Sequence, residues 1–272
     1  MIVFFALVFD KQLFQLEPAL RTLAGFALFS LISSAVYIFN DIADIDADRQ
    51  HPKKKNRPLP SGELPINVAR VFGVLLVAIV IPTAYFLTPA FSAVLAIYFL
   101  MMLAYTSRLK HIPILDVMIL ATGFVLRVHS GVTLIAVERF SPWLYVITTL
   151  GALYLGFGKR RAELELLSDG AGSHRKVLDG YTIPLLDQFI TIVSGTTIVA
   201  YSLYTFTADN LPGNHAMMLT IPFVIYAIFR YLYLVQISHV TGSPEEVVLT
   251  DRPLQIAIIL WGIIAMAVFY LS

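Results

Sequence analysis

Residues 19–49 read ALRTLAGFALFSLISSAVYIFNDIADIDADR: a long apolar run with one charge near its start, Arg21, that breaks abruptly into acids. A helix needs about 20 mostly apolar residues to cross the hydrocarbon core of a bilayer, and residues 19–40 meet that length. The run does not alternate, which argues against a half-buried strand. A membrane-spanning helix that delivers a cluster of carboxylates to the interface is therefore the reading from which the fold follows.

The same pattern recurs near residues 67–88, 90–107, 113–136, 141–160, 183–207, 215–237 and 253–271. Of the 272 residues, 58% are hydrophobic and 14% charged, against about 25% charged in an ordinary soluble domain, and mean hydropathy is +0.77. An outer-membrane barrel would instead show alternating segments of about ten residues. The expected fold is all-α, a polytopic membrane helical bundle, organised as one domain over residues 1–272. With the N-terminal run 2–9 the expected number of spans is about nine. Pro82 and Pro222 fall inside predicted spans and predict kinks there.

The run Ile2 to Phe9 ends at Asp10 and Lys11 and is too short to span. No basic segment precedes it and no small-x-small cleavage pattern follows, so it reads as a truncated or mis-started first helix and not as a signal peptide. The absence of cysteine excludes disulfides, thiolate metal sites and a Cys nucleophile, and leaves the redox compartment open. A net charge of +1 identifies no partner, and nothing points to nucleic acid. The oligomeric state is not legible, and a homo-oligomer is compatible with the sequence.

Lysine and arginine segregate. One set of alternate connections holds Arg49, Lys53, Lys54, Lys55 and Arg57, then Arg108 and Lys110, then Lys159, Arg160, Arg161, Arg175 and Lys176, then Arg252; the other holds little beyond Lys11 and Arg139. The positive-inside rule makes the rich set cytoplasmic.

On a helix that continues past residue 40, Asn40, Asp44 and Asp48 recur every four residues and share a face; Asp41 joins it and Asp46 points away. Carboxylates at this spacing repel one another and call for a compensating cation. An oxygen-only donor set favours Mg²⁺. A solvated acidic helix end is the plainer alternative. The loop His51 to Gly62 follows at once, stiffened by Pro52, Pro58 and Pro60 and carrying Lys53, Lys54, Lys55 and Arg57. Metal ligands and phosphate-binding cations within one connection suit a Mg-diphosphate. Topogenic charge or contact with anionic lipid is the alternative for these lysines. Tyr37, three residues before Asn40, is placed where its hydroxyl reaches the site, or else is an interfacial aromatic. Arg127 lies within a predicted span and is expected to face the bundle interior or a polar cavity, as a clamp for a lipid phosphate or a 5-phosphate; snorkelling to one interface is the alternative, for it and for Lys110.

The pattern Asn40-Asp41-x-x-Asp44-x-x-x-Asp48 with its Lys/Arg-Pro loop resembles the first signature of the UbiA-type prenyltransferase superfamily. Tyr105-x-x-x-Leu109-Lys110-x-x-Pro113-x-x-Asp116 resembles a later connection of that superfamily, so the likeness covers nearly the whole chain. Ordinary prenyltransferases carry a second Asp-rich motif after the sixth helix. Here Gly158-Lys159-Arg160-Arg161-Ala162-Glu163-Leu164-Glu165 takes that place, and with Ser173-His174-Arg175-Lys176 and Tyr181-Thr182 it is similar to the decaprenyl-phosphate phosphoribosyltransferase branch.

That resemblance implies transfer of phosphoribose from PRPP to a polyprenyl phosphate, a Mg²⁺-dependent step in a cell membrane that feeds cell-wall biosynthesis. It implies Asn40, Asp41, Asp44 and Asp48 as the metal-binding set, with Asp41, Asp44 and Asp48 also catalytic, and Tyr37, Lys54, Arg57, Lys110, Arg127, Lys159, Arg160 and Tyr181 as substrate-binding residues. Charge counting favours the same branch, because PRPP and a lipid phosphate bring more anionic groups than one prenyl diphosphate. Glu163, Asp179 and Asp187 are expected to be local partners or caps. The nearest rival is an aromatic prenyltransferase using the same acidic motif on an allylic diphosphate; a transporter is a more distant one, and no inverted repeats are evident. The basic, aromatic lead-in that family members carry before the first helix is absent.

Overall fold

The structure, a computed structural model, describes residues 2–50, 54–137, 141–168, 176–236 and 244–271. The expectations placed on His51, Pro52, Lys53, Arg139, Ser173, His174 and Arg175 lie outside the described residues. The chain divides into two compact units, Met1–Val8 with Gln12–Val137, and Phe9–Lys11 with Glu138–Ser272.

In the first unit a short 3-10 turn, Ile2–Phe4, leads into α1 (Phe5–Phe9). There follow α2 (Leu16–Ala43), α3 (Ile45–Gln50), α4 (Pro58–Ser61), α5 (Ile66–Leu87), α6 (Pro89–Ser107) and α7 (Leu115–Val132). Helix α2 packs along α5 and α6, and α6 along α7. Phe29, Ile32, Val36, Val80, Phe91 and Leu95 form the centre of the core. The opposite surfaces are apolar as well, Phe86 being 87% exposed, as expected where the solvent is lipid tails. Small residues permit the closest approaches: a Cβ on Gly131 of α7 would lie 2.1 Å from the backbone oxygen of Val3.

The second unit contains α8 (Trp143–Ser168), α9 (Ile183–Thr207), α10 (Ile221–Gln236), α11 (Pro244–Thr250) and α12 (Arg252–Leu271). Helix α8 runs along α9, and α10 along α12. The indole of Trp261 donates to the Tyr201 hydroxyl at 2.6 Å. Tyr201 meets Thr220 at 2.6 Å, and Thr220 in turn donates to the Met217 carbonyl. Because Thr220 spends its proton on Met217, the relay runs from Trp261 through Tyr201 to Thr220. This satisfies two buried hydroxyls and the half-buried indole N–H, which hydrocarbon would otherwise penalise.

Among the described residues, seven helices are long and apolar enough to cross a membrane, and the chain is an integral membrane protein of helical-bundle fold. The expected count of nine is not reached by that measure. The N-terminal run forms only a five-residue α-helix after its 3-10 turn, and α8 carries five charges between Lys159 and Glu165. Helix α5 passes through Pro82 without ending. Pro222 behaves otherwise: it is the second residue of α10, directly after the 3-10 turn Ala216–Thr220, where a proline costs no hydrogen bond. It marks a helix start, and the expected mid-span kink is corrected.

Candidate functional site

The acidic face is built where α2 ends. The register predicted for a continuous helix is interrupted at Asp44, the C-cap of α2, whose φ of −96° and ψ of 4° are not helical. The path barely deviates, because the Asp44 amide still donates to the Asn40 carbonyl at 2.9 Å and the Asp48 amide to the Asp44 carbonyl at 2.8 Å. Asp46 points away as expected, its side chain 89% exposed, and Asp48 is buried at 4%.

Acids at a helix C-terminus oppose the helix dipole and one another, and cations from two other segments answer them. Arg57 reaches both Asp41, at 3.1 Å, and Asp48, at 3.4 Å. Lys54 lies 3.3 Å from Asp48. Lys110, from the 3-10 turn Leu109–His111 after α6, is buried and pairs with Asp44. The Thr106 hydroxyl, at the end of α6, donates to the side-chain oxygen of Asn40 at 3.4 Å.

The basic loop is held in place by its own apolar residues. Leu59 and Leu64 pack with Ile45 and Ala69. Gly62 caps α4 with φ +87°, a conformation glycine adopts without a steric penalty, and the chain then turns so that the Leu64 amide reaches the Pro58 carbonyl at 2.8 Å.

The expectation that three carboxylates and an amide converge is met only in part. Asp41 and Asp48 share Arg57, while Asp44 faces Lys110. Among the described residues, no group of three or more His, Cys, Asp or Glu side chains is arranged to hold a metal ion. The donor set still suits Mg²⁺, which keeps several waters and is commonly held by only one or two carboxylates together with substrate phosphates.

Deeper in the same unit, Arg127 projects from α7 into an aromatic cage. Its Nη2 donates to the Tyr98 hydroxyl at 2.6 Å, and its guanidinium lies 4.9 Å from the Tyr98 ring centroid, 5.4 Å from Phe124 and 5.5 Å from Phe29. It has no carboxylate partner among the described residues. The interior orientation expected for an intramembrane arginine is what the structure shows, and snorkelling is not. Tyr37 is 67% exposed and stands on α2 one turn before Asn40 and Asp41.

Asp116 begins α7 and is wholly buried. Just before it, Ile114 takes φ 71° and ψ −51°, a strained conformation for a β-branched residue.

In the second unit, Lys159 is exposed, whereas Arg160 and Arg161 are buried at 2% and 6%. Arg160 binds Glu163 at 2.6 Å; Arg161 binds Asp187 at 2.6 Å and Glu165 at 2.8 Å. Glu163 and Asp187 are the local partners expected of them, and Glu165 joins them: three carboxylates answer the buried guanidinium groups, because a buried charge is costly until paired. The i,i+3 and i,i+4 spacings of Glu163 and Glu165 were a legible signal for this; the reach of Arg161 from α8 to Asp187 on α9 was not. Tyr181 is buried, one residue before the Thr182 side chain that caps α9.

Comparison with known proteins follows the same lines. The sequence profile of the UbiA prenyltransferase family matches residues 1–241. A decaprenyl-phosphate phosphoribosyltransferase of Mycobacterium tuberculosis is 35% identical over 238 residues, covering 87% of this chain and 78% of the relative. One from Mycolicibacterium smegmatis is 34% identical over 266 residues, covering 93% of this chain and 82% of the relative. These relatives bear out the resemblance to that branch. A UbiA homolog from Archaeoglobus fulgidus, solved bound to DMAPP and Mg²⁺, superposes with a TM-score of 0.72 at 17% identity, covering 100% of this chain and 95% of the other. The acidic motif, the helical bundle and the extent of these matches agree: the chain belongs to the UbiA prenyltransferase family.

Proposed function

We propose that this enzyme moves the 5-phosphoribosyl group of PRPP onto the phosphate of a polyprenyl phosphate, releasing pyrophosphate. The observation that carries this reading is the alignment over 238 residues, at 35% identity, with a protein named for transfer to decaprenyl phosphate. Arg127, an intramembrane arginine with no carboxylate partner among the described residues, supports it, because an ionisable side chain facing the interior of a membrane bundle marks a substrate or ion path.

Mg²⁺, when bound, supplies positive charge to the pyrophosphate as it leaves. Asn40 and Asp44, with Asp41 or Asp48, are the residues that would hold it. Lys54 and Arg57 already stand against the acidic face, so each can exchange a carboxylate oxygen for a phosphate oxygen with little movement, and Lys110 can do the same from Asp44. Arg127 takes the lipid phosphate or the 5-phosphate. In the second unit, Lys159 and Tyr181 are assigned to substrate binding, and Arg160 acts from its pairing with Glu163.

The acceptor phosphate, whose second pKa is about 6, is already largely a dianion at neutral pH and needs no strong base. It attacks ribose C1 as the pyrophosphate departs, inverting that carbon. Stabilisation of developing charge by fixed cations carries the rate. Lysine and arginine segregation supports an active site facing the cytoplasm; the membrane is assigned as the plasma membrane, and both units to one integral-membrane domain.

Purified protein offered radiolabelled PRPP with a polyprenyl phosphate, and separately a prenyl diphosphate with aromatic acceptors, each with and without Mg²⁺, tests the proposal. Label entering lipid from PRPP only when Mg²⁺ is present is the expected result. Transfer from the prenyl diphosphate alone would replace this reading with that of an aromatic prenyltransferase.

A further inference from the structure

Serine and threonine hydroxyls in membrane helices commonly bond back to a carbonyl one turn earlier. Ser30, Ser34, Thr83 and Thr122 do so here, to Phe26, Ser30, Ile79 and Met118, and Ser107 reaches back to Ala104 at 3.0 Å. Its neighbour Thr106 does not. The Thr106 side chain is 6% exposed, and its hydroxyl crosses from α6 to α2, where it donates to Asn40 Oδ1 at 3.4 Å.

We infer that Thr106 is a positioning residue, which fixes the side-chain amide of Asn40 so that its oxygen is presented to the divalent ion. A carbonyl oxygen has two lone pairs. With one occupied by the Thr106 hydroxyl, the amide cannot rotate to present its NH₂ group, and the second lone pair remains for the metal. Asn40 has particular need of such a partner. An ionised carboxylate offers oxygen whichever way it turns, whereas an amide offers oxygen from one face and hydrogen from the other. The present separation is long for an O–H···O bond, in keeping with catalytic hydrogen bonds that tighten once the site is filled. This inference rests on the reading of the acidic face as a metal-binding site.

The test compares parent, Thr106→Val and Thr106→Ser in detergent. Mn²⁺ binding in the presence of pyrophosphate is followed by electron paramagnetic resonance, and thermal unfolding reports the fold. Outer-shell partners of metal ligands commonly contribute about 10–100-fold to affinity, and a loss of that size is expected for Thr106→Val, with Thr106→Ser near the parent. Should Thr106→Val not fold, Thr106→Ala removes the hydroxyl without adding bulk. Equal affinity in the parent and a folded variant lacking the hydroxyl overturns the inference, as does an equal loss in the valine and serine variants. A parent that takes up no Mn²⁺ with pyrophosphate overturns the metal reading itself, and the inference with it.

Discussion

Lys110 and Asp44 form an ion pair across two segments of the first unit, a buried ammonium against a carboxylate at the cap of α2. Asp44 thus serves the fold and, on the reading above, the reaction, and the two roles separate by substitution. Asp44→Ala is expected to abolish transfer and to lower stability, since a buried ion pair that loses one partner costs about 3–5 kcal/mol. Asp44→Asn combined with Lys110→Met should recover most of that stability and none of the activity, read by thermal unfolding beside the transfer assay. Full turnover in a folded Asp44→Ala protein would remove this residue from the mechanism.

Arg127 and Tyr98 offer a second separation. Tyr98→Phe keeps the ring under the guanidinium and deletes the 2.6 Å hydrogen bond, together with the longer one that Ser33 donates to the same hydroxyl at 3.5 Å. Bonds to charged groups contribute about 1.5–3 kcal/mol, so unfolding should shift by an amount in that range. Arg127→Lys should lose more, because a compact ammonium reproduces neither the stacking nor the fork of donors. In steady-state assays the lysine variant is expected to raise KM for the polyprenyl phosphate or for PRPP, which identifies the phosphate it meets.

Close approach at Gly131 predicts that Gly131→Ala destabilises by about 1–3 kcal/mol, the usual cost of forcing extra atoms into a packed region, because the Val3 backbone would have to retreat. Gly262 in α12 has open space around it. Gly262→Ala should stabilise by about 0.5–1 kcal/mol through helix propensity. Opposite shifts in the two unfolding curves are the expected observation.

The Asp251 side chain accepts from the Leu254 amide at 2.8 Å and from Arg230 at 2.8 and 3.2 Å. Arg230 chiefly, and the Leu254 amide with it, hold the carboxyl below the usual carboxylate range against a smaller opposing effect of burial. A depressed folded pKa contributes stability that is present above the unfolded value of about 3.9 and is lost as pH falls through the folded value. Asp251→Asn keeps the helix cap and removes the charge. Its unfolding temperature should fall below the parent's at neutral pH, and the gap should close as the buffer is acidified through the carboxylate range.

Much of this was legible in the chain. The apolar runs predicted near 67–88, 90–107 and 183–207 appear as Ile66–Leu87, Pro89–Ser107 and Ile183–Thr207, because in hydrocarbon, length and composition nearly decide a helix. Periodicity alone turned Asp46 outward and set Asn40, Asp44 and Asp48 one turn apart, a spacing that the Asp44-to-Asn40 and Asp48-to-Asp44 backbone hydrogen bonds keep. What escaped was set by contacts distant in sequence: the pairing of Arg161 with Asp187, the division of the acids between Arg57 and Lys110, and the target of the Thr106 hydroxyl. Pro222 was misread for a local reason, since hydropathy is blind to where one helix ends and another starts.

The basic residues of the first unit have a consequence for handling the protein. Because Arg57, Lys54 and Lys110 neutralise the acids from within, stripping divalent ions with a chelator should silence turnover without melting the helices. Returning the ions should restore it on the timescale of mixing, so that the molecule can be stored, purified and crystallised idle, and then started at will.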